Sequence, residues 1–476
     1  MSQIGIVYTP EQGSPCPQHA SVDTLRLAER GVRYVRVQWL DLVNTVRFRI
    51  LPASYFARLC RTARPGVCLS RVTLGLVGLQ IAAGFSGTGE DLLAFDLDSF
   101  RLCPYAPGHA VVMGWFQEKV PAPGAPLASP LCPRALLQRV VDAARAEAGL
   151  AFLAGFESEF ILLSATAPRP VAVNDAHWTT SAKFRTGTVE NTVMEEIADG
   201  LQEAGIELQM VHAEAAPGQF EVVTGPLAPL EAADALVFTR ETIYNVATKH
   251  GLRATFAPRL HADNCGSGAH VHFSVHSSRP APAGARRDAA LAPTLTATER
   301  SFLQGVLEHL PALCALLMPT PASYARMQDG IWAGGTYSCW GTDNKDAPLR
   351  LCGTPGAHHF ELKPSDGTAS PHLVLAGVLA AGLGAVLRGA ELQSGDCTKP
   401  AAWMSEDERR AVGLGDPLRL PRTVGDARRL FQEDAYLREK LGDEFVTKYA
   451  AVNKELETYM QMPTEEETVT RLVEYY

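Results

Sequence analysis

The chain has no closely spaced cysteine pair. Its ten cysteines are scattered through 476 residues, none in a C-x-x-C arrangement, and Cys60 and Cys68 come nearest to each other. This excludes a cysteine-rich zinc ribbon and a dithiol redox motif, and it reads as reduced thiols in a cytoplasmic protein. Taken singly, each cysteine is a small buried apolar residue. Long apolar runs are missing too, so no membrane span is expected. Met1–Gly13 has neither the basic start nor the apolar centre of a signal peptide. Basic charge is in deficit: 43 Lys and Arg stand against 52 Asp and Glu, a formal net charge of −9. That balance argues against a nucleic-acid partner, which needs a basic face. Charged residues are only 20% and apolar ones 46%, which excludes a disordered chain. At this length two domains and a large core are expected.

Proline marks the main division. Val120–Pro130, VPAPGAPLASP, carries four prolines and can join neither a helix nor a sheet centre. It separates an N-terminal domain, residues 21–119 after a tail at 1–20, from a second domain at 131–476. Val32–Arg49 alternates apolar and polar residues and reads as two strands around a turn at Val43-Asn44-Thr45. Glu90–Phe116 holds further strand-like runs. Helices are expected from Pro133, at Thr192–Ala204, Leu230–His250, Ala297–Leu316 and Pro371–Leu387, and within Val424–Tyr459. Short strands are expected at Ala151–Leu163, Leu208–Val211, Phe220–Val223, Ala254–Phe256, Gly268–Val275 and His358–Lys363. The class is α+β or mixed α/β. Arg279–Pro293, rich in Ala, Pro and Arg, reads as a mobile surface insertion.

Three of these strands carry polar residues two apart, hence on one face. Glu157 and Glu159 interrupt the apolar run LAGFESEFILL; His270 and His272 do so in SGAHVHFSV; His359, Glu361 and Lys363 do so near the C-terminal third. Glu214 and Glu221 flank a Pro-Gly loop. Any one pair reads as the wetted face of a half-buried strand. Together, with apolar flanks, they imply buried like charges that repel unless protons or cations neutralise them. Glutamate oxygens with an imidazole suit a hard divalent ion, Mg²⁺ or Mn²⁺. Zinc fits less well, since no cysteine accompanies the histidines.

The order of these motifs resembles the glutamine synthetase family, type I-like. E-x-E-F at Glu157, H-x-E-x-A-P-G-Q-x-E at His212, G-S-G-x-H-x-H at Gly266, Asn344-Lys345 and Glu361-Leu362-Lys363 follow in the family's sequence. Gln38–Asn44, Ala369–Leu383 and Leu420–Val446 resemble its conserved turn and closing helices, so the likeness runs from about Arg33 to the end. The resemblance implies a β-grasp-like N-terminal domain and a catalytic domain built as a half-barrel of antiparallel strands flanked by helices. It implies homo-oligomeric rings, often stacked, with active sites shared between subunits. One metal would be held by Glu159, Glu214 and Glu221, and a second by Glu157, His270 and Glu361. ATP would be a substrate, contacted by His272, Ser274 and His359, and would phosphorylate a carboxylate for attack by an amine. Lys345 and Arg350 would face the transferring phosphate. Arg326, His212, Cys265 and Gly266 would bind the acid, and Asp41 would reach a neighbour's ammonium pocket.

The departures are informative. Where ammonia-using members carry G-x-E-A-P, this chain has Gly330-Ile331-Trp332-Ala333-Gly334. Trp332 cannot accept a proton but offers a broad apolar wall. Cys265 replaces a family Asn; Lys345, His359 and Lys363 replace family Arg, and Lys lacks the two-pronged fork. Lys399–Gly415 contains no Tyr, so regulation by tyrosine adenylylation is not expected. The pattern is closest to gamma-glutamylpolyamine and gamma-glutamylamide synthetases. The expectation is an ATP-dependent ligase joining a small carboxylate, glutamate for preference, to an organic amine. An inactive ring-forming relative, an ammonia-using synthetase and a phosphotransferase that stops at a phosphorylated product are the alternatives.

Overall fold

The computed structural model describes residues 6–10, 20–176, 181–261, 264–279 and 287–476. Most of the tail expected at 1–20, and residues 280–286 of the expected insertion, lie outside the described residues. Among the described residues two main sheets form. The first has five strands, all before the proline-rich stretch. Tyr34–Leu40 pairs antiparallel with Val46–Pro52 and parallel with His109–Glu118, followed outward by Glu90–Leu102 and Gly66–Ser70. The turn after Tyr34–Leu40 holds Asn44 at φ 64°, a conformation that Asn tolerates better than most residues.

The second sheet has nine strands and curls into a half-barrel. Its order runs Leu208–Ala213, Gln219–Thr224, Leu150–Ala165, Val271–Ser277, His359–Leu362, Leu349–Cys352, Trp340–Thr342. Arg253–Thr255 and Val171–Ala172 pair with the long strand Leu150–Ala165 as well. With its packed helices this is the α+β architecture that the sequence leads one to expect. The helices Val189–Glu203, Pro229–Lys249, Ala297–Leu317 and Pro371–Leu387 fall within a few residues of expectation. The three- and four-residue strands Trp340–Thr342 and Leu349–Cys352 are additional; they are too short to show a periodicity. The helices Glu406–Ala411 and Glu465–Tyr475 are additional too, although each has a Ser or Thr capping box with a Glu three residues on.

Pro371–Leu387 is apolar all round, and all but its last residues are buried. It packs on Ala297–Leu317 at close range. A methyl group added at Gly305 would stand 2.3 Å from the Ala381 carbonyl oxygen, and one at Gly382 would stand 2.2 Å from the Phe302 ring. Only glycine permits that approach. No helix among the described residues is long and apolar enough to cross a membrane.

The described part of the expected surface insertion is anchored instead. Arg287–Ala290 forms a 3₁₀ turn whose buried Asp288 pairs with Arg300 at 3.0 Å and accepts from the Leu392 amide at 3.0 Å. Composition suggested a loop; one buried ion pair overrides it.

A buried ionic junction ties the two sheets' supports together. Arg134, on the helix Pro133–Ala143, reaches Asp234 with two nitrogens at 3.0 and 2.7 Å and Asp96 of the first sheet at 2.7 Å. His372 at the start of Pro371–Leu387 meets the same Asp234 at 2.9 Å. Burial alone would raise the Asp234 pKa, but the Arg134 charge and the His372 hydrogen bond hold it down at about 2. Its folded pKa is depressed, so its contribution is complete above the unfolded value near 4 and is lost as pH falls towards about 2. Asp234→Asn strands a buried guanidinium and is expected to cost about 3–5 kcal/mol in urea unfolding at pH 7. The variant's stability is expected to lose less than the wild type's between about pH 4 and pH 2.

Candidate active site

Strand register builds the site. Glu159 of Leu150–Ala165 lies directly opposite Glu221 of Gln219–Thr224, and Glu221 lies opposite His212 of Leu208–Ala213. Directly opposed residues share a face, so one row reads His212, Glu221, Glu159. On the other side, His272 of Val271–Ser277 lies opposite Glu361, which lies opposite Arg350. Glu157 is bridged to His270 through its amide, at 3.1 Å to the His270 carbonyl. The concave face of the half-barrel therefore gathers five carboxylates and three histidines from five strands and their ends.

The side chains meet. His270 Nδ1 stands 2.7 Å from Glu157, 3.4 Å from Glu361 and 3.7 Å from Glu159. His212 contacts Glu221 at 3.2 Å and Glu214 at 3.6 Å. Two groups of three place one ligand atom each within 4.8 Å of one another: Glu157 with His270 and Glu361, and His212 with Glu214 and Glu221. Glu159 lies between them. The six expected metal ligands are thus brought together, with His212 as an added neighbour.

The two ends differ in charge balance. At Glu361, burial is outweighed by Lys363 at 2.8 Å, by His270 and by His272, and the pKa falls to about 2. Arg350 donates to the same carboxylate at 3.0 Å. At Glu221, burial together with the Glu157 and Glu159 charges outweighs His212, and the pKa rises to about 7. Glu214 is raised by burial and by Glu159. His212, hydrogen-bonded to Glu221, rises to about 9. This end holds more negative charge than the protein neutralises. Oxygen donors with imidazole, and a surplus of negative charge, fit hard divalent ions.

Beyond His272 opens a cavity of about 950 Å³ lined by Glu157, His272, Ser274 and His359, among others. The three residues expected to contact nucleotide therefore face one space. Tyr8, within the expected tail, lines it as well and hydrogen-bonds Glu207 and Gln209 at 2.5 and 2.9 Å.

Other expected residues are placed differently. Arg326 is buried at 2% exposure beneath His270, donating to the Lys363 carbonyl at 3.1 Å and contacting His270 Nε2 at 3.2 Å. Gly266 lies over it: an added methyl would stand 2.7 Å from Arg326 Cγ. Cys265, with its thiol raised by burial and by Glu159 and Glu214, faces the Glu214 end. Lys345 is exposed on the turn before Leu349–Cys352. Asp41 stands apart: fully buried, it accepts from the Val43 and Thr45 amides at 3.1 and 2.9 Å and pairs with Arg47 at 2.7 Å. Its carboxylate organises its own turn. Trp332 is 56% exposed, at φ 60°, with its amide on Asp346 at 3.1 Å.

Two residues had no functional reading from the sequence. Gln219 reaches Glu159, the Gly266 carbonyl and Ser267 at 3.2, 3.2 and 3.1 Å; its place in the A-P-G-Q motif was the available signal. Lys183 is fully buried and donates to the carbonyls of Glu214 and Ala216, each at 2.5 Å. Burial lowers its pKa to about 8 against the pull of Glu214. A lone Lys in a polar segment carries no cue for this.

Residues 130–470 match the family described as Glutamine synthetase, catalytic domain. Protein fluG of Emericella nidulans is 35% identical over 89% of this chain, which spans about half of that longer protein, 46%. Gamma-glutamylpolyamine synthetase GlnA3 of Streptomyces coelicolor is 33% identical over 87% of this chain and 88% of its own length. A crystal structure described as a novel glutamine synthase homolog superposes with a TM-score of 0.76 at 28% identity, covering 94% of this chain and 99% of the other. Fold, site and relatives together define a carbon–nitrogen ligase. The chain belongs to the glutamine synthetase family, whose members use ATP and divalent metal ions.

Lys183→Met removes the cation that fixes the Glu214 loop. Calorimetric titration with Mn²⁺ is expected to show about tenfold weaker binding, the usual scale for a residue that orients a ligand from behind. Unchanged affinity would mean that the loop holds its shape without the ammonium.

Proposed function

We propose that the protein is an ATP-dependent ligase that forms a γ-glutamyl amide from glutamate and an organic amine. Glu159, Glu214 and Glu221 would hold one Mg²⁺ or Mn²⁺, and Glu157, His270 and Glu361 a second. When bound, such ions supply charge neutralisation for the phosphates of ATP and for the transferring phosphoryl group. A carboxylate oxygen of glutamate takes the γ-phosphoryl group and ADP departs. The amine lone pair then attacks the acyl carbon, phosphate leaves, and the nitrogen gives up a proton. Arg350, which donates to Glu361 at 3.0 Å, would face the transferring phosphate. His272, Ser274 and His359 would line the nucleotide's place.

The observation that carries the choice of amine is Trp332. It presents an exposed indole where ammonia-using relatives place a proton-accepting Glu. Gly330 lies against Trp403, itself largely exposed, with only 3.3 Å from an added methyl to that ring. An exposed indole suits an alkylammonium, through packing and cation–π attraction of about 1 kcal/mol. The gamma-glutamylpolyamine synthetase relative supports the same reading. The reading extends to a cytoplasmic homo-oligomeric ring with shared active sites. It also extends to two domains, 21–119 and 131–476, joined through 120–130.

Phosphate release measured with ATP, Mg²⁺, glutamate and an amine panel tests the reading. An alkylamine or polyamine is expected to stimulate release at least about tenfold more than ammonia. Stimulation by ammonia and by no organic amine overturns it. Trp332→Ala is expected to raise the amine KM about tenfold with kcat little changed. Glu361→Gln is expected to lower kcat by at least about a hundredfold.

A further inference from the structure

A third group of ligand atoms lies beside the carboxylate rows and shares its two histidines with the expected nucleotide contacts, with His272 also 3.0 Å from Glu157. His272, Cys352 and His359 each offer one such atom, all within 4.8 Å of one another. Strand pairing assembles them. Cys352 is directly opposite His359 across Leu349–Cys352 and His359–Leu362, and His272 is directly opposite Glu361, two residues along from His359 on the same face. The His272 and His359 rings stand 5.2 Å apart, centroid to centroid. The sequence offered no cysteine near the paired histidines; the antiparallel hairpin from Leu349 to Leu362 supplies one.

The donors are chemically distinct from those next door. A thiol and two imidazoles prefer zinc or another borderline-soft ion, whereas the carboxylate cluster prefers Mg²⁺ or Mn²⁺. Three protein ligands leave one tetrahedral position open, as in zinc sites that exchange a ligand. A shift of about 1 Å in side-chain position brings the three atoms onto a common ion at bond lengths of about 2.0–2.3 Å. The Cys352 thiol is buried, with its sulfur 3.9 Å from Glu361 Oε2. On coordination it loses its proton to solvent, and the metal stabilises the thiolate formed. His272 and His359 also line the cavity of about 950 Å³, so an ion between them occupies its wall.

We propose that His272, Cys352 and His359 form a zinc site separate from the oxygen-lined centre, and that zinc bound there competes with nucleotide. The competition rests on the nucleotide reading above; the metal site does not. Full-length protein in excess Mg²⁺, which fills the oxygen sites, is titrated with Co²⁺ as a spectroscopic stand-in for zinc. One cobalt per chain with a sulfur-to-cobalt charge-transfer band is expected. Cys352→Ser is expected to lose the band and to bind zinc at least about tenfold more weakly. Zinc is expected to weaken Mg²⁺·ADP binding at least about tenfold in the wild type and to leave it unchanged in Cys352→Ser. Wild-type cobalt binding without the band overturns the site, as does a Cys352→Ser protein that keeps the band. ADP affinity insensitive to zinc in the wild type overturns the competition. Failure of Mg²⁺·ADP to bind even without zinc overturns the nucleotide reading, while the cobalt spectrum still decides the metal site.

Discussion

Two carboxylates face each other across neighbouring strands, and much of the catalytic half-barrel is arranged around that conflict. Glu159 and Glu221 are directly opposed and both buried. Unit charges about 4 Å apart repel by about 4 kcal/mol at an effective dielectric of 20, which is comparable to a large part of a domain's net stability. The sheet tolerates this because polar groups converge on the pair from every side. Glu159 accepts from the Gly268 amide at 2.8 Å and from Gln219, and Glu221 has His212. These donors reduce the cost without cancelling it: burial first, and then the Glu157 and Glu159 charges, still raise the Glu221 pKa to about 7. A cation placed there relieves a cost that the fold already carries.

The opposite end of the cleft resolves its charge internally. Glu361 is enclosed by Lys363, Arg350 and His270, and stays ionised far into acid. Lys363 stands where the family carries Arg, and its single ammonium is committed to this carboxylate two residues away. A guanidinium could have held the carboxylate with one nitrogen and offered another outward. The Lys therefore keeps the charge of the site while giving up an outward hydrogen-bond donor. That follows from the chemistry of the two side chains, and it weakens any simple transfer of a glutamate-binding role to Lys363.

What could be read from the chain alone was mostly period-two patterning. Glu157 with Glu159, and His359 with Glu361, share a face because strand residues two apart always do, and the ordered motifs supplied the rest of the ligand set. Contacts between strands were not legible. Cys352 meets His359 through a hairpin whose first strand is only four residues long. Lys183 reaches Glu214 from a segment without periodic pattern. Asp288 turned a composition typical of a loose loop into an anchored turn by pairing with Arg300. Asp41 matched a motif, yet its oxygens are engaged by its own turn and by Arg47. For Cys352, Lys183 and Asp288 a contact brought in from another segment was invisible to local pattern; for Asp41 the partners are local, but the motif did not show that they engage the carboxylate.

The structure also separates what must be rigid from what can vary. Behind the carboxylate rows lies the close-packed pair of helices Ala297–Leu317 and Pro371–Leu387, joined to the first sheet through the Arg134, Asp234 and His372 junction. Ligands two residues apart on such a support cannot splay without unpacking apolar core. The loop at 330–335 is built on the opposite plan. Gly330, Gly334 and Gly335 all have positive φ, Trp332 adopts the same left-handed region, and its indole is exposed. A Trp at φ 60° carries roughly 1 kcal/mol of backbone cost that no buried packing repays. Its side chain can therefore be exchanged with little consequence for the floor of the cleft. The backbone of the same loop does reach the floor, because a methyl added at Gly334 would stand 2.9 Å from the Lys363 Cβ, beside the Glu361 that Lys363 holds, so an exposed side chain there can change while the carboxylates stay in register, whereas a displacement of the loop would disturb them.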